Sequence, residues 1–357
     1  MKIILTGGGT AGHVTPNIAL IPALEKRGFE IYYIGSHSGI ERGLISLCGI
    51  PYHGISSGKL RRYFDFKNIT DLFRIVKGLA DAYKLLRRLK PDIVFSKGGF
   101  VVVPVAYAAK LLGIPVVIHE SDITPGLATK LVMPFAKVVC TSFPETLQYV
   151  PEGKGTLTGS PIRTSLYSGN RREGLKLSGI DYLPSKPVLL VTGGSLGSVV
   201  INKHIFELLP KLLPRFHVIH LCGKGNITED ASPGYAPFEY AQEEMPHLLA
   251  AADMVIGRAG ANTIFELLAL GKPNLLIPLS KNASRGDQIL NAASFERQGY
   301  SIVLQEEEMD AGTLHESILT LYANRNKYIS QMKKAGRGNG VKRVMAELEQ
   351  VYRGTKL

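Results

Sequence analysis

The chain has 357 residues, 45% hydrophobic and 20% charged, with a formal charge of +12, which is enough material for two soluble globular cores. Three scattered cysteines, Cys48, Cys140 and Cys222, exclude a disulfide framework and a CxxC metal site and fit a reducing compartment. The first residues reach a glycine cluster too soon for a signal peptide, and the longest apolar stretch, 100–118, is broken by Pro104, Lys110, Gly113 and Pro115, which excludes a membrane span there.

In chain order, 2–6 is a buried-type strand followed by Gly7-Gly8-Gly9-Thr10-Ala11-Gly12. A helix pattern covers 16–26, closed by Gly28, and 30–35 is the second strand. Further strands are predicted at 92–95, 115–118 and 137–140, with helices between. The rhythm restarts at 187–192, followed by Gly193-Gly194-Ser195-Leu196-Gly197, and continues with strands at 216–220, 254–256 and 274–278. The two openings, KIILTGGGTAG and PVLLVTGGSLG, look like one design used twice. The predicted fold class is α/β, with two Rossmann-like, doubly wound domains facing each other across a donor cleft. The linker is placed near 158–164, the domains at 1–162 and 163–339, and the terminal helix at 341–353 is expected to return to the first domain as part of 340–357.

Gly7-x-Gly9-x-x-Gly12 between a strand and a helix fits the dinucleotide fingerprint, since glycines admit phosphate oxygens and a helix N-terminus favours their charge. The same glycines also serve a plain tight turn. A dehydrogenase needs an acid at the end of the second strand, yet that end reads Gly35-Ser36-His37, and Glu30 lies at the wrong end. No GKS or GKT follows either loop, which argues against a P-loop hydrolase. A third loop, Lys97-Gly98-Gly99-Phe100, also follows a strand. All three therefore lie at carboxyl edges of the sheets, where open α/β folds bind ligands.

The second half offers a fuller nucleotide site. Arg258-Ala259-Gly260-Ala261-Asn262-Thr263 reads as a loop before a helix at 264–270, with small residues that admit a diphosphate. Glu266 is placed to accept both hydroxyls of a ribose; the plain alternative is a first-turn acid favoured by the helix dipole. Gln288, after the polar loop that starts at Ser280, has the groups to bind sugar hydroxyls.

At these residues the sequence resembles the MurG family of peptidoglycan N-acetylglucosaminyltransferases, over nearly the whole chain. GGGTAGHVTPNIA, SKGGFVVVP and GGSLGSVVIN are similar to the family's three glycine loops, IPYHGISSGKLRRY to the segment after its second strand, and RAGANTIFELLALGKPNLLIPL to its donor-site signature. The resemblance implies the GT-B fold and inverting, metal-independent transfer from UDP-N-acetylglucosamine to lipid I, with no cofactor. It implies that Thr10, Ala11 and Gly12 approach the donor, that Arg163 and Ser195 serve its phosphates or sugar, and that the backbone at Gln242 holds uracil. The stretch Ala261, Asn262, Thr263, Ile264, Phe265 and Glu266 takes diphosphate and ribose, and Gln288 meets the sugar.

Such a transfer needs a base for the acceptor hydroxyl, and helix N-termini with an arginine for the departing diphosphate. His13, directly after the first loop, is the first choice as base, against the plain alternative of a histidine capping its own helix. Glu120 is the competing base. The family usually shows HEQN where this chain has HESD, so Asp122 stands in the place of the family's Asn at a sugar contact. Leu196 replaces a frequent Gln, and 160–162 reads Ser-Pro-Ile in place of Asn-Pro-Val. These departures leave open a diverged paralogue with an altered acceptor, or one without catalysis. Other GT-B enzymes, a diacylglycerol glycosyltransferase or a UDP-N-acetylglucosamine 2-epimerase, share the donor chemistry but do not need GKLRRY beside three glycine loops.

Residues 59–90 hold ten basic and three acidic side chains, a net +7. Ile69, Leu72, Phe73 and Val76 share one helical face beside Arg74 and Lys77, a pattern suited to an anionic bilayer surface. The rival reading packs that face on the sheet. Nucleic acid is disfavoured because no recognised module is present. The expected location is therefore peripheral, on the cytoplasmic face of the cell membrane.

Overall fold

A computed structural model describes residues 1–58, 67–181, 185–194, 197–227, 232–281, 285–336 and 340–354, with the side chains of 67–72 outside the description. Two compact units are formed, Met1–Arg163 with Gly338–Leu357, and Thr164–Arg337.

Among the described residues the first unit holds strands β1 (Lys2–Thr6), β2 (Glu30–Ser36), β3 (Tyr52–Ile55), β4 (Ile93–Ser96), β5 (Val116–Glu120), β6 (Val138–Thr141) and β7 (Gly155–Leu157). They form one parallel sheet in the order β3-β2-β1-β4-β5-β6-β7. Helices α1 (Thr15–Lys26), α2 (Ile40–Ser46), α3 (Lys67–Leu89), α4 (Val102–Leu111) and α5 (Leu127–Val132) join them. Helices cover both faces, which is why the central strands are near-continuous apolar runs. Ile4, Val94, Val116 and Ile118 pack with α3 and α4, while their neighbours Ile3, Leu5, Phe95 and Val117 pack on the opposite face with α1.

The second unit repeats the plan. Its strands are β8 (Val188–Thr192), β9 (His217–Leu221), β10 (Tyr235–Phe238), β11 (Met254–Gly257), β12 (Asn274–Leu276) and β13 (Ser301–Val303), in the parallel order β10-β9-β8-β11-β12-β13. Its helices are α6 (Arg171–Leu177), α7 (Val199–Leu212), α8 (Met245–Ala251), α9 (Ala261–Leu270), α10 (Asp287–Arg297) and α11 (Ala311–Lys334). The final helix, α12 (Gly340–Gly354), returns to the first unit. Its stripe Val344, Met345, Leu348 and Val351 is buried against the face that holds Ile3 and Leu5.

Every strand named from the sequence is found within two residues of its expected ends. Among the described residues four more are present, β3, β7, β10 and β13, and each is an edge of its sheet. One helix start is corrected: α9 begins at Ala261, not Ile264, because Gly260 is already its extended N-cap residue. Asn262 and Thr263 thus lie in a helical first turn. No described helix is long and apolar enough to cross a membrane.

In each sheet the strand order reverses between the neighbours β1 and β4, and β8 and β11, so the loops after these strands flank a switch point. Open α/β sheets bind ligands in the crevice formed there.

Candidate functional site

In the first unit, the loop after β1 is pinned from three sides. Tyr33 Oη donates to the Gly7 carbonyl at 2.7 Å, and Asn17 Nδ2 donates to the Thr6 carbonyl at 3.2 Å. Gly9 N–H donates to Glu41 Oε2 at 3.2 Å. The loops after β1 and β4 touch backbone to backbone, with Gly8 N–H donating to the Gly98 carbonyl at 3.3 Å. A Cβ on Gly99, whose φ is +88°, would run into the Gly8 carbonyl, so glycine is required there by both conformation and space.

A short 3₁₀ turn, 11–13, carries His13 to the start of α1. The half-buried imidazole places Nδ1 3.0 Å from the Gly8 carbonyl oxygen and 3.2 Å from Thr10 Oγ1. A carbonyl only accepts, so Nδ1 carries the proton and Nε2 is the basic nitrogen of the neutral ring. A Cβ on Gly98 would lie 3.6 Å from Nε2, so the second loop passes within van der Waals reach of this ring. The pairing with Gly8 ties His13 back to the phosphate-type loop. Thr10 and Gly12 are exposed and Ala11 half-buried.

Glu120 is held by the backbone of its own loop. Its Oε1 accepts from Ser121 N–H at 2.9 Å and Asp122 N–H at 3.2 Å, and its Oε2 from Gly126 N–H at 3.1 Å. Both oxygens hold the loop after β5, which includes half-buried Asp122. Beside it Lys97 is buried and bonded to Ser121 Oγ, and burial pulls its ammonium below the usual lysine range. Burial, with the Lys97 charge nearby, lowers His119 to about 3, so its ring is neutral and donates Nε2–H to the Gly159 carbonyl at 2.9 Å. Arg163 closes the first stretch of this unit, half-buried.

In the second unit, the N-terminus of α9 follows β11 directly, and its N-cap residue is Gly260, which brings no side chain of its own to the first turn. Ala261 is buried, while Asn262 and Thr263 are half-buried. Amides so placed, with the helix dipole behind them, suit a diphosphate. Ile264 is buried in the core, and Phe265 packs edge-on against Phe295 at 5.2 Å, so both contribute through the backbone and the packing of the helix. Glu266 is the sixth residue of α9 and half-buried; it lies beyond the first turn, which weakens the dipole reading of this acid.

Gln288 sits in α10, where its Oε1 accepts from Leu279 N–H at 3.0 Å and holds the loop after β12. That orientation leaves its amide –NH₂ as the end for a ligand oxygen. Gln242 is exposed, and its N–H donates to Glu244 Oε2 at 3.0 Å, so its carbonyl is the backbone group suited to a base. Ser195 and Leu196 lie outside the described residues.

Three side chains that hold these loops had no role assigned from the sequence: Glu41, Lys97 and Arg258. Buried Arg258 donates to Ser198 Oγ at 2.7 Å, to the Ile277 and Pro278 carbonyls at 3.3 and 3.4 Å, and pairs with Glu306. Ser198 is the N-cap of α7, so one guanidinium ties together the segments after β8, β11 and β12. Its place directly after an apolar strand was the available signal.

Comparisons with known proteins agree across the chain. Residues 3–141 match the glycosyltransferase family 28 N-terminal domain, and 188–348 its C-terminal domain. A UDP-N-acetylglucosamine--N-acetylmuramyl-(pentapeptide) pyrophosphoryl-undecaprenol N-acetylglucosamine transferase of Clostridium tetani (strain Massachusetts / E88) is 56% identical over 353 residues, 98% of each chain. A protein of the same name from Clostridium botulinum (strain Langeland / NCTC 10281 / Type F) is 59% identical over 345 residues, 96% of this chain and 97% of its own. The crystal structure of Acinetobacter baumannii MurG superposes with a TM-score of 0.76 at 26% identity, covering 98% of this chain and 99% of that one. With both halves matched in order and both sheets wound alike, the chain belongs to glycosyltransferase family 28 and has the GT-B fold.

Proposed function

We propose that this protein transfers N-acetylglucosamine from UDP-N-acetylglucosamine to the muramyl-pentapeptide of a pyrophosphoryl-undecaprenol lipid, with inversion, as a step of peptidoglycan synthesis. The observation that carries the reading is identity of 56–59% across almost the full length of transferases bearing that name. In the second unit the α9 amides take the diphosphate, Glu266 the ribose hydroxyls, the Gln242 carbonyl the uracil and the Gln288 amide the sugar. Thr10, Ala11, Gly12, Arg163 and Ser195 complete the donor contacts, and Asp122 stands at the family's sugar contact. In the first unit His13 Nε2 takes the proton of the acceptor hydroxyl as its oxygen attacks the anomeric carbon. The bond from that carbon to the diphosphate breaks, and UDP departs with the electron pair. The helix dipole and first-turn amides stabilise the charge that develops on the leaving group. UDP release from UDP-N-acetylglucosamine is expected with a lipid I analogue and not with diacylglycerol, and to persist after EDTA treatment. Turnover with diacylglycerol, or tight UDP binding without turnover, overturns the assignment; loss of activity in EDTA with rescue by a divalent cation overturns metal independence.

We further infer that α3 carries the protein to its lipid acceptor as a peripheral protein of the cytoplasmic membrane face. Its later turns pack Ala82, Leu85 and Leu86 into the core, but Phe73 and Val76 stand 72% and 60% exposed, against the rival reading that this face packs on the sheet. Lys77 and Lys84 on the same helix are exposed. The segment 59–66 and the side chains of Ile69 and Leu72 lie outside the described residues. Binding to phosphatidylglycerol vesicles is expected to fall with salt, and by about fivefold for each of Lys77 and Lys84 changed to Gln, at about 1 kcal/mol per charge. No binding of the unaltered protein to such vesicles sinks the docking surface.

A further inference from the structure

We propose that Glu41 is a positioning residue that acts on His13 through a single peptide plane, an inference that rests on His13 being the base. The Gly8–Gly9 peptide supplies both ends of the connection. Its N–H, on Gly9, donates to Glu41 Oε2 at 3.2 Å. Its carbonyl, on Gly8, accepts from His13 Nδ1 at 3.0 Å. A trans peptide points these two groups in opposite directions, so the carboxylate and the imidazole sit on opposite edges of one rigid plane.

Glu41 is placed there by design of its surroundings. The side chain is fully buried. Its other oxygen, Oε1, accepts from Ser36 N–H at 2.9 Å and Ser36 Oγ at 2.6 Å. Both oxygens are therefore occupied, Oε1 by the two Ser36 groups and Oε2 by the Gly9 amide. Three glycines make the space: a Cβ on Gly8 or Gly39 would strike the carboxylate, and one on Gly35 would lie 2.8 Å from Glu41 Cγ. The second glycine of the loop is thus a glycine because an acid occupies the volume its side chain would need.

The chemical consequence lies at His13. An anionic acceptor at the N–H end polarises the peptide and strengthens the carbonyl at the other end as an acceptor. That carbonyl holds the Nδ1 proton, because in the other tautomer two lone pairs would face each other across 3.0 Å. Thr10 Oγ1, 3.2 Å from the same nitrogen, adds a second acceptor. The basic lone pair is therefore held on Nε2. In hydrolytic triads a carboxylate does this by touching the imidazole; here one peptide stands between them.

The experiment uses the full chain labelled with ¹⁵N-histidine. The His13 signals are assigned by their absence in His13→Ala. In the unaltered protein the ring is expected as the Nδ1–H tautomer. Glu41→Gln puts an –NH₂ against one of the three donors, and the expected result is a mixture of tautomers. The kcat should fall on the order of ten- to hundredfold, as for removal of other orienting partners, with the KM for UDP-N-acetylglucosamine unchanged. Ser36→Ala, which spares the Gly9 contact, should keep the tautomer. If Glu41→Gln does not fold, Glu41→Asp keeps the buried charge while withdrawing it from Gly9, and the same loss of tautomer purity is expected. An unaltered His13 tautomer in the folded Glu41 variant overturns the relay whatever the activity. A His13→Ala protein with full turnover overturns the base assignment instead, so the two failures are distinct.

Discussion

His13→Ala should lower kcat by about 10²–10⁴-fold, the range expected for loss of a general base, and leave UDP affinity unchanged. The reason is local. His13 lies on the first unit, whereas the groups proposed for uracil, ribose and diphosphate belong to the second. Its removal takes away the proton acceptor without touching the α9 amides or Glu266. Glu120→Gln provides the contrast. Because Glu120 holds three backbone amides, its loss should appear as a lower melting temperature and not as loss of one limb of the pH–rate profile. Steady-state kinetics on the two variants, with UDP titrated by calorimetry, checks both statements. Turnover of His13→Ala equal to that of the unaltered enzyme would remove this histidine from the chemistry.

The second large effect is expected at Arg258. Replacing it by Met strips the mostly buried Glu306 carboxylate of its cation, and breaking such a pair from one side costs about 3–5 kcal/mol. It also frees the Ser198 hydroxyl and two carbonyls after β12 from their donor. Urea unfolding followed by circular dichroism should show a markedly lower midpoint. The double variant Arg258→Met with Glu306→Gln should recover part of the loss, because no unpaired charge then stays inside. A midpoint unmoved by the single substitution would show that the pair contributes nothing to the fold.

How far the sequence could be read depended on burial. The central strands were legible because both faces are covered, and runs such as KIILT and PVLLVT have no polar face to confuse the pattern. The four strands that escaped notice are all edges. Tyr52-His53-Gly54-Ile55 mixes polar and glycine positions, β7 has three residues, and β10 contains Pro237, which sheets tolerate at an edge. The glycine loops were legible because a strand, glycines and a helix follow one another in the chain. Glu41 was not, because its significance comes from Gly8, Gly35 and Gly39 converging on it in space. The strand end itself carries Ser36, and the acid follows five residues later, in α2. The α9 boundary was misplaced for a related reason: Ala261, Asn262 and Thr263 look like a polar loop, although an extended Gly260 starts the helix before them.

The return of α12 to the first sheet has a consequence for biosynthesis. The face built from Ile3, Leu5 and Phe95 is finished by Val344, Met345, Leu348 and Val351, which leave the ribosome only after the whole second unit. The amino-terminal half therefore cannot complete its core while it is being translated. It must wait, with an apolar face uncovered, until the whole of the other domain has been synthesised. Nascent domains in that condition are exposed to aggregation and to chaperones. The second domain is contiguous in the chain and can close as soon as it is made, whereas the first can close only when α12 arrives.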